Sequence, residues 1–368
     1  MRDPNAQQLV AKVMGWHDEE SVSRFVPILQ LLADYKYDEY QKFAPGRRFI
    51  ESLAIWLNRF LPEHRSAALD FVVNRLVFVS DGEFSHLVQT AYPDLIVPER
   101  MRIVAEEQAV PDFRVGTLSR HSRFTELRLK SLYLGLSDGA RTNELRRASD
   151  GEISNEQIWQ AYELSDDKAK DMVRELKASL DKASLAITEP RFNLIWLLDD
   201  FSGSGNTYIR FDGETNRFKG KLPKIYDLLN RGHLVDKSHY EVFLVLYVAT
   251  RQGLDHIEYW SERFTSERGY KPLQLRALSV LERDTAVTEK SEPALASLLT
   301  NPKYYDHRAF DKHMEVGGTS DARLGFAACA LPVVLCHNTP NNSLYLLWGP
   351  ESLDFVGLFP RVSRHRGF

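Results

Sequence analysis

Cysteine is nearly absent. Cys329 and Cys336 are the only two, too few for a disulfide framework or a four-cysteine zinc site, and they read as small buried residues. No apolar run approaches the about 18 residues of a membrane-spanning helix. The opening "MRDPNAQQLV" lacks the apolar core of a signal peptide, so a cytoplasmic protein with no membrane partner is expected. Repeats, low-complexity tracts and long linkers are missing as well. Neither sign of charge dominates: the net charge is −4, and nucleic-acid binding is not indicated. What is present is 368 residues of ordinary globular composition, enough for two domains or one elaborated domain.

The first 110 residues read as a helical lobe. In "RRFIESLAIWLNRFL", Phe49, Ile50, Leu53, Trp56, Leu57, Phe60 and Leu61 fall at the spacing of one buried helix face. "SAALDFVVNRLVFV" repeats the pattern through Leu76 and Val77. The two prolines of "YPDLIVPER" suggest the end of an element. From residue 111 the texture changes to apolar strands alternating with helices: "LYLGL", "FNLIWLL", Val242 to Val248 and "LPVVLC". That alternation predicts an α/β fold, a mostly parallel sheet flanked by helices. The segment "ISNEQIWQAYELSDDKAKDMVRELKASLDKA" reads as a long polar helix or helix pair with Ser154 or Asn155 as its cap. The expected division is a lobe at 1–110, an α/β domain at 111–300, and a C-terminal extension at 301–368 that completes the sheet and pocket.

Chemistry concentrates in "IWLLDDFSGSGNT", residues 195–207. An apolar strand ends in Asp199 and Asp200 and gives way to a loop of small residues. A phosphate loop of the GxxxxGK[ST] kind is excluded, since the only Gly-Lys pair, Gly220-Lys221, is followed by Leu222. A hydrolase elbow needs GxSxG, which neither Ser202 nor Ser204 supplies. Gly203 and Gly205 let backbone amides converge on an anion. Ser202, Ser204, Asn206 and Thr207 add donors. A buried turn with an aspartate cap is the plainer alternative.

The stretch resembles the phosphoribosyl-pyrophosphate motif of type I phosphoribosyltransferases: four apolar residues, two acids, a small-residue loop and a closing Thr. The resemblance implies a phosphoribosyltransferase-like fold. It implies that Ser202, Gly203, Ser204, Gly205, Asn206 and Thr207 bind the 5-phosphate. Asp199 and Asp200 then contact the ribose and stabilise its cationic transition state as the catalytic pair. Upstream, "LYLGLSDGARTNELRR" has the form of the family's pyrophosphate loop. Asp138, Gly139, Ala140 and Arg141 sit roughly 60 residues before the aspartates, and Arg141 is the charge partner. From Arg114 to Arg147 there are eight Lys or Arg against three acids, a field that suits magnesium pyrophosphate. Magnesium (Mg2+) is the implied cofactor, held mostly through substrate oxygens rather than by a protein metal cluster.

A closer resemblance, carried by "DDFSGSGNTYIR", "KGKLPKIYDLL", and "LCHNTPNNSLYLLW" with "LFPR", is to the phosphoribosyltransferase-like effectors of bacterial conflict (anti-phage defence) systems. It spans roughly residues 115 to 361. It implies binding of phosphoribosyl pyrophosphate (PRPP) or a related nucleotide-like small molecule, with transfer or removal of a phosphoribosyl group. It also implies a protein partner reached through the helical lobe. A non-catalytic nucleotide sensor using the same pocket is the alternative. Two departures stand out. "YIRFDGETNRFKGK" interrupts the helix that should follow Thr207 and reads as a hairpin. Residues 151 to 185 look too regularly helical to contain the family's closing loop. In "CHNTPNNS", Asn338, Asn341 and Asn342 either read a base or ribose edge, with Tyr345 or Trp348 stacking, or satisfy their own turn. The tail carries Arg361, Arg364 and Arg366, either a disordered basic end or a partner contact.

Overall fold

The computed structural model describes residues 3–41, 48–161, 166–187, 189–232 and 234–361; Arg364 and Arg366 lie outside them. Among the described residues the strands are β1 (Val77–Val79), β2 (Ser131–Gly135), β3 (Ile158–Gln160), β4 (Leu194–Ser202), β5 (Arg210–Asp212), β6 (Arg217–Lys219), β7 (Glu241–Thr250), β8 (Leu273–Leu281) and β9 (Val333–Leu335). The chain divides into two compact units, one of Met1–Phe84 with Glu282–Phe368, the other of Ser85–Leu281.

The first unit joins the two ends of the chain. Helix Phe49–Leu57 buries the apolar stripe expected of it, and Trp56 Nε1 donates to the Leu346 carbonyl at 3.0 Å. Helix Pro62–Asn74 follows, but its expected continuation through Val77 is instead β1. There β1 pairs in parallel with β9, Val77 opposite Val333. "LPVVLC" therefore completes this two-stranded sheet and not the central one, and the N-terminal part is not all-helical. The Asn-rich turn is satisfied inside this unit. Asn338 Oδ1 accepts from the Thr339 amide at 3.0 Å, and Asn342 Nδ2 donates to the Phe326 carbonyl at 3.2 Å. Tyr345 and Trp348 are buried, their polar atoms bonded to the carbonyls of Phe355 and Ser343.

The second unit is an α/β domain on a five-stranded, wholly parallel sheet of order β3-β2-β4-β7-β8. β4 and β7 are continuous apolar runs because helices cover both their faces. One face packs Leu132, Ile195, Leu197, Val242 and Leu244 against Met172, Leu176 and Leu180 of helix Asp166–Lys182. The other carries an aromatic ladder across adjacent strands. Tyr133 stacks on Trp196 at 6.4 Å between centroids, and Trp196 on Phe243 at 4.2 Å.

Three expectations fail in this unit. The two prolines do not end an element, because a π-helical turn, Tyr92–Ile96, carries the helix past Pro93 into Val97–Gln108. Ser154 caps only one 3-10 turn, Asn155–Gln157. The chain then forms β3 before helix Asp166–Lys182 begins, so the stretch read as regular helix contains a strand.

Order and connection together locate the site. From β2 the chain moves outward to β3, returns to β4, and then moves outward the other way through β7 to β8. The direction reverses between β2 and β4. In open parallel sheets the ligand crevice lies at that reversal, beyond the carboxyl ends of the two strands. The loops that leave those ends are residues 136–141 and 203–209.

Candidate functional site

Adjacent residues of a strand point to opposite faces, and Asp199 and Asp200 divide accordingly. Asp199 is 2% exposed and held by three side-chain donors and by the Asp200 amide at 3.2 Å. Ser137 donates its hydroxyl to Oδ1, Tyr208 donates to Oδ2 at 2.9 Å, and Lys221 Nζ donates to Oδ2 at 2.8 Å. Burial raises its pKa, the neighbouring Asp200 charge adds to the rise, and Lys221 and Ser137 oppose it. Burial, with Asp199 and Asp200 close by, lifts the Tyr208 phenol well above its ordinary value, which keeps it a donor. Asp199 thus organises the site from beneath.

Asp200 is partly exposed and meets the upstream loop. A Cβ on Gly139 would lie 2.2 Å from Asp200 Oδ2 and 2.6 Å from its Cγ, so only glycine permits this approach. The two stretches predicted from sequence, 138–141 and 199–207, are therefore in van der Waals contact. Ala140 sits at the base of its loop, with its carbonyl accepting from the buried Tyr247 hydroxyl at 2.9 Å. Arg141 adopts a left-handed conformation, φ 46°, as the first turn of helix Thr142–Ala148 begins. Its guanidinium pairs with Glu144 at 3.2 Å. Of the eight basic residues counted in that stretch, Arg123 also pairs, with Glu107 and Glu126, as does Lys130, with Glu126.

The loop after β4 is fixed by the start of helix Arg251–Arg268. Thr250, the cap of that helix, accepts from the Gly253 amide at 2.9 Å and donates to the Gly203 carbonyl. Gly205, at φ +79°, lies so near the Gly253 carbonyl that a Cβ would fall 2.7 Å from it. Its own carbonyl accepts from the amides of Tyr208 and Ile209, at 3.0 and 3.3 Å. A trans peptide sets each N–H opposite the preceding carbonyl, so the Ser204 and Asn206 amides point away from the groups that hold the Gly203 and Gly205 carbonyls, on a loop in which Gly203, Ser204 and Gly205 are buried. Among the described residues, the N–H groups of Ser204, Gly205 and Thr207 have no acceptor, while Gly203 directly follows the ladder pair Ser202–Ala249. Asn206 N–H makes only a long contact, 3.4 Å, to Ser204 Oγ. The buried Ser202 hydroxyl is also without a partner. Thr207 is exposed at the loop's outer end.

The expected hairpin is present as β5 and β6, but it does not remove the helix. Residues 205–209 make a helical turn, the hairpin leaves from it, and the Lys221 and Leu222 amides then bond to the Thr207 and Tyr208 carbonyls, at 3.1 and 2.9 Å. Helix Lys221–Arg231 thus resumes on the turn that the loop began. This closure brings Lys221 to Asp199. Lys221 carries no local signal of this position, because Gly220-Lys221 reads in sequence only as an incomplete phosphate loop. Its position after "FKG" becomes informative once the hairpin is counted as an insertion.

A family model described as PRTase-CE matches residues 53–361. No curated protein matches the chain, and no solved structure does.

Proposed function

Because the chain belongs to the PRTase-CE family, a phosphoribosyltransferase-like family, we propose that it binds PRPP or a related ribose-phosphate nucleotide with magnesium, and transfers or removes a phosphoribosyl group, as part of a bacterial conflict system. The observation that carries this reading is the set of unpartnered amides of Ser204, Gly205 and Thr207, on a loop whose Gly203 and Gly205 carbonyls are tied down. Converging free N–H groups are an anion cradle, and a terminal phosphate is the anion that suits it. Asp200, at the loop's root and against Gly139, accepts the ribose hydroxyls. Its carboxylate also stabilises positive charge as the bond to C1 breaks. Asp138 to Arg141 face the leaving pyrophosphate.

No group of three or more His, Cys, Asp or Glu side chains able to hold a metal occurs among the described residues. Magnesium would be carried mostly on substrate oxygens and water, with Asp200 as the nearby carboxylate, as is usual for this ion. Bound magnesium lowers the charge on the leaving pyrophosphate.

Thermal unfolding tests the reading, with PRPP and magnesium set against ribose 5-phosphate, pyrophosphate and buffer. Ligand at a hundred times its dissociation constant stabilises a fold by about 2.7 kcal/mol, a shift of a few degrees. A shift needing both magnesium and intact PRPP supports the proposal; none with any ligand overturns it. One observation favours the sensor reading: Asp199 is engaged by three side-chain donors and the Asp200 amide, which leaves one carboxylate of the pair for chemistry. Ligand binding without product from any acceptor base or water decides for a sensor that signals to a protein partner.

A further inference from the structure

Between helices Asp166–Lys182 and Lys221–Arg231 lies a groove of about 990 Å³. Lys170, Arg174 and Lys177 line one wall, Lys224 and Arg231 the other, and Arg191 the end, with Asp227 the one acid among the lining residues. The three cations of the first wall recur at intervals of four and three, one face of that helix. Lys170, Arg174 and Arg231 pair with Asp167, Asp171 and Asp227, whereas Lys177 and Lys224, one on each wall, are exposed and carry no ion pair among the described residues. Val173, Leu228 and Pro190 form a small apolar floor. This is a charged channel in a chain whose net charge is negative, and local field rather than net charge governs what binds.

We propose that this groove binds single-stranded nucleic acid through its phosphates. Cations on both walls match a polyanion that lies between them, and each row extends about 10 Å along its helix, long enough for successive phosphates. The lining contains no aromatic residue, so there is no stacking platform, and binding is electrostatic and sequence-independent. An acidic helix is the competing occupant. It needs deep apolar pockets for its anchors, and this floor offers only Val173, Leu228 and Pro190. A second cavity, of about 610 Å³, shares Lys224 and Asp227 with the groove and is lined by Arg210, Lys219 and Lys221. The basic surface therefore continues around the second helix. The inference stands on the groove alone and goes beyond the ribose-phosphate reading.

The test is fluorescence anisotropy of the full chain with short fluorescein-labelled oligo(dT) and oligo(U), across a salt series. About four phosphate contacts give a slope of log K against log salt near −3, or a roughly fiftyfold loss of affinity between 50 and 200 mM. Lys177→Glu with Lys224→Glu weakens binding at least tenfold and flattens the slope by about 1.4. The charge-matched pair Arg268→Glu with Lys290→Glu leaves both unchanged. Unfolding curves check that the variants fold, and Lys177→Gln with Lys224→Gln replaces the reversal if it does not. No binding at 50 mM salt, equal loss in the two reversal pairs, or tighter binding of an oligoglutamate than of either strand overturns the proposal.

Discussion

Lys221 Nζ donates to Asp199 Oδ2 at 2.8 Å from the far side of an inserted hairpin. The bond exists because the helix resumes on the turn 205–209, so two residues 22 apart in sequence meet within one helical turn of structure. The carboxylate is almost wholly buried while the lysine is 29% exposed at its side chain. Substituting Lys221→Met leaves a buried charge with only hydroxyl and amide donors. The cost expected at pH 7 is about 2 kcal/mol, below the about 3–5 of a fully buried pair. The pH dependence has a definite sign. Without Lys221 the folded-state pKa of Asp199, already raised, rises further above its unfolded value. The folded variant then binds the proton more readily than the unfolded chain, and its deficit shrinks as pH falls through that raised value. Urea unfolding at pH 7 and pH 5 measures this; a deficit equal at both pH values contradicts it.

Thr250 couples helix start to loop: one hydroxyl accepts from Gly253 and donates to Gly203. Thr250→Val removes the cap and frees the Gly203 carbonyl. Loss of a helix cap costs about 0.5–2 kcal/mol, and the released peptide no longer fixes the direction of the Ser204 amide. Stability and the PRPP-dependent unfolding shift should therefore fall together. Thr250→Ser keeps the hydroxyl and should restore both. Calorimetry of the two variants separates this from a packing effect, for which Val would do better than Ser.

Gly139 and Gly205 are both crowded, but by different neighbours. An added Cβ at Gly205 meets the Gly253 backbone at 2.7 Å, at a φ of +79°. Neither constraint can relax locally, so Gly205→Ala should cost about 2–3 kcal/mol. At Gly139 the Cβ meets the end of the Asp200 side chain, which can swing away. Gly139→Ala should therefore unfold within about 1 kcal/mol of the parent yet lose the PRPP-dependent shift. A Gly139→Ala protein that binds PRPP normally removes Asp200 from the site.

The parts legible in sequence were those with a strong local cause. β2, β4 and β7 each contain a continuous apolar run because both faces are covered, and the loops after β2 and β4 announce themselves by small residues. β8 was missed although "LQLRALSVL" alternates, since all its residues are only half-buried. β1 was read as helix because Leu76 and Val77 continue the spacing of Leu69, Val72 and Val73; parallel pairing with residues 333–335 overrides that pattern. Three-residue β3 is too short for any period to show. Asp199 and Asp200 were legible as a pair but not as separate roles. Which one faces ligand depends on Ser137, Tyr208 and Lys221 arriving from three other segments, which is tertiary information.

That separation makes the final prediction sharp. Asp200→Asn keeps an oxygen acceptor beside Gly139 but removes the negative charge. If that charge stabilises a cationic ribose, turnover falls by about 10²–10³-fold, the scale on which one electrostatic stabiliser is lost. Binding of ribose 5-phosphate, which rests on the Ser204, Gly205 and Thr207 amides, changes little. Asp199→Asn should behave in the opposite way. Its new amide hydrogens face the Lys221 ammonium and the Tyr208 hydroxyl, so the loss appears in the unfolding temperature before it appears in the rate. Measuring rate, ribose 5-phosphate affinity and unfolding temperature for both variants tests the assignment. Asp200→Asn with parental turnover, or with phosphate affinity lost in proportion to rate, would remove the ribose role from Asp200 and leave the loop amides as the whole of the site.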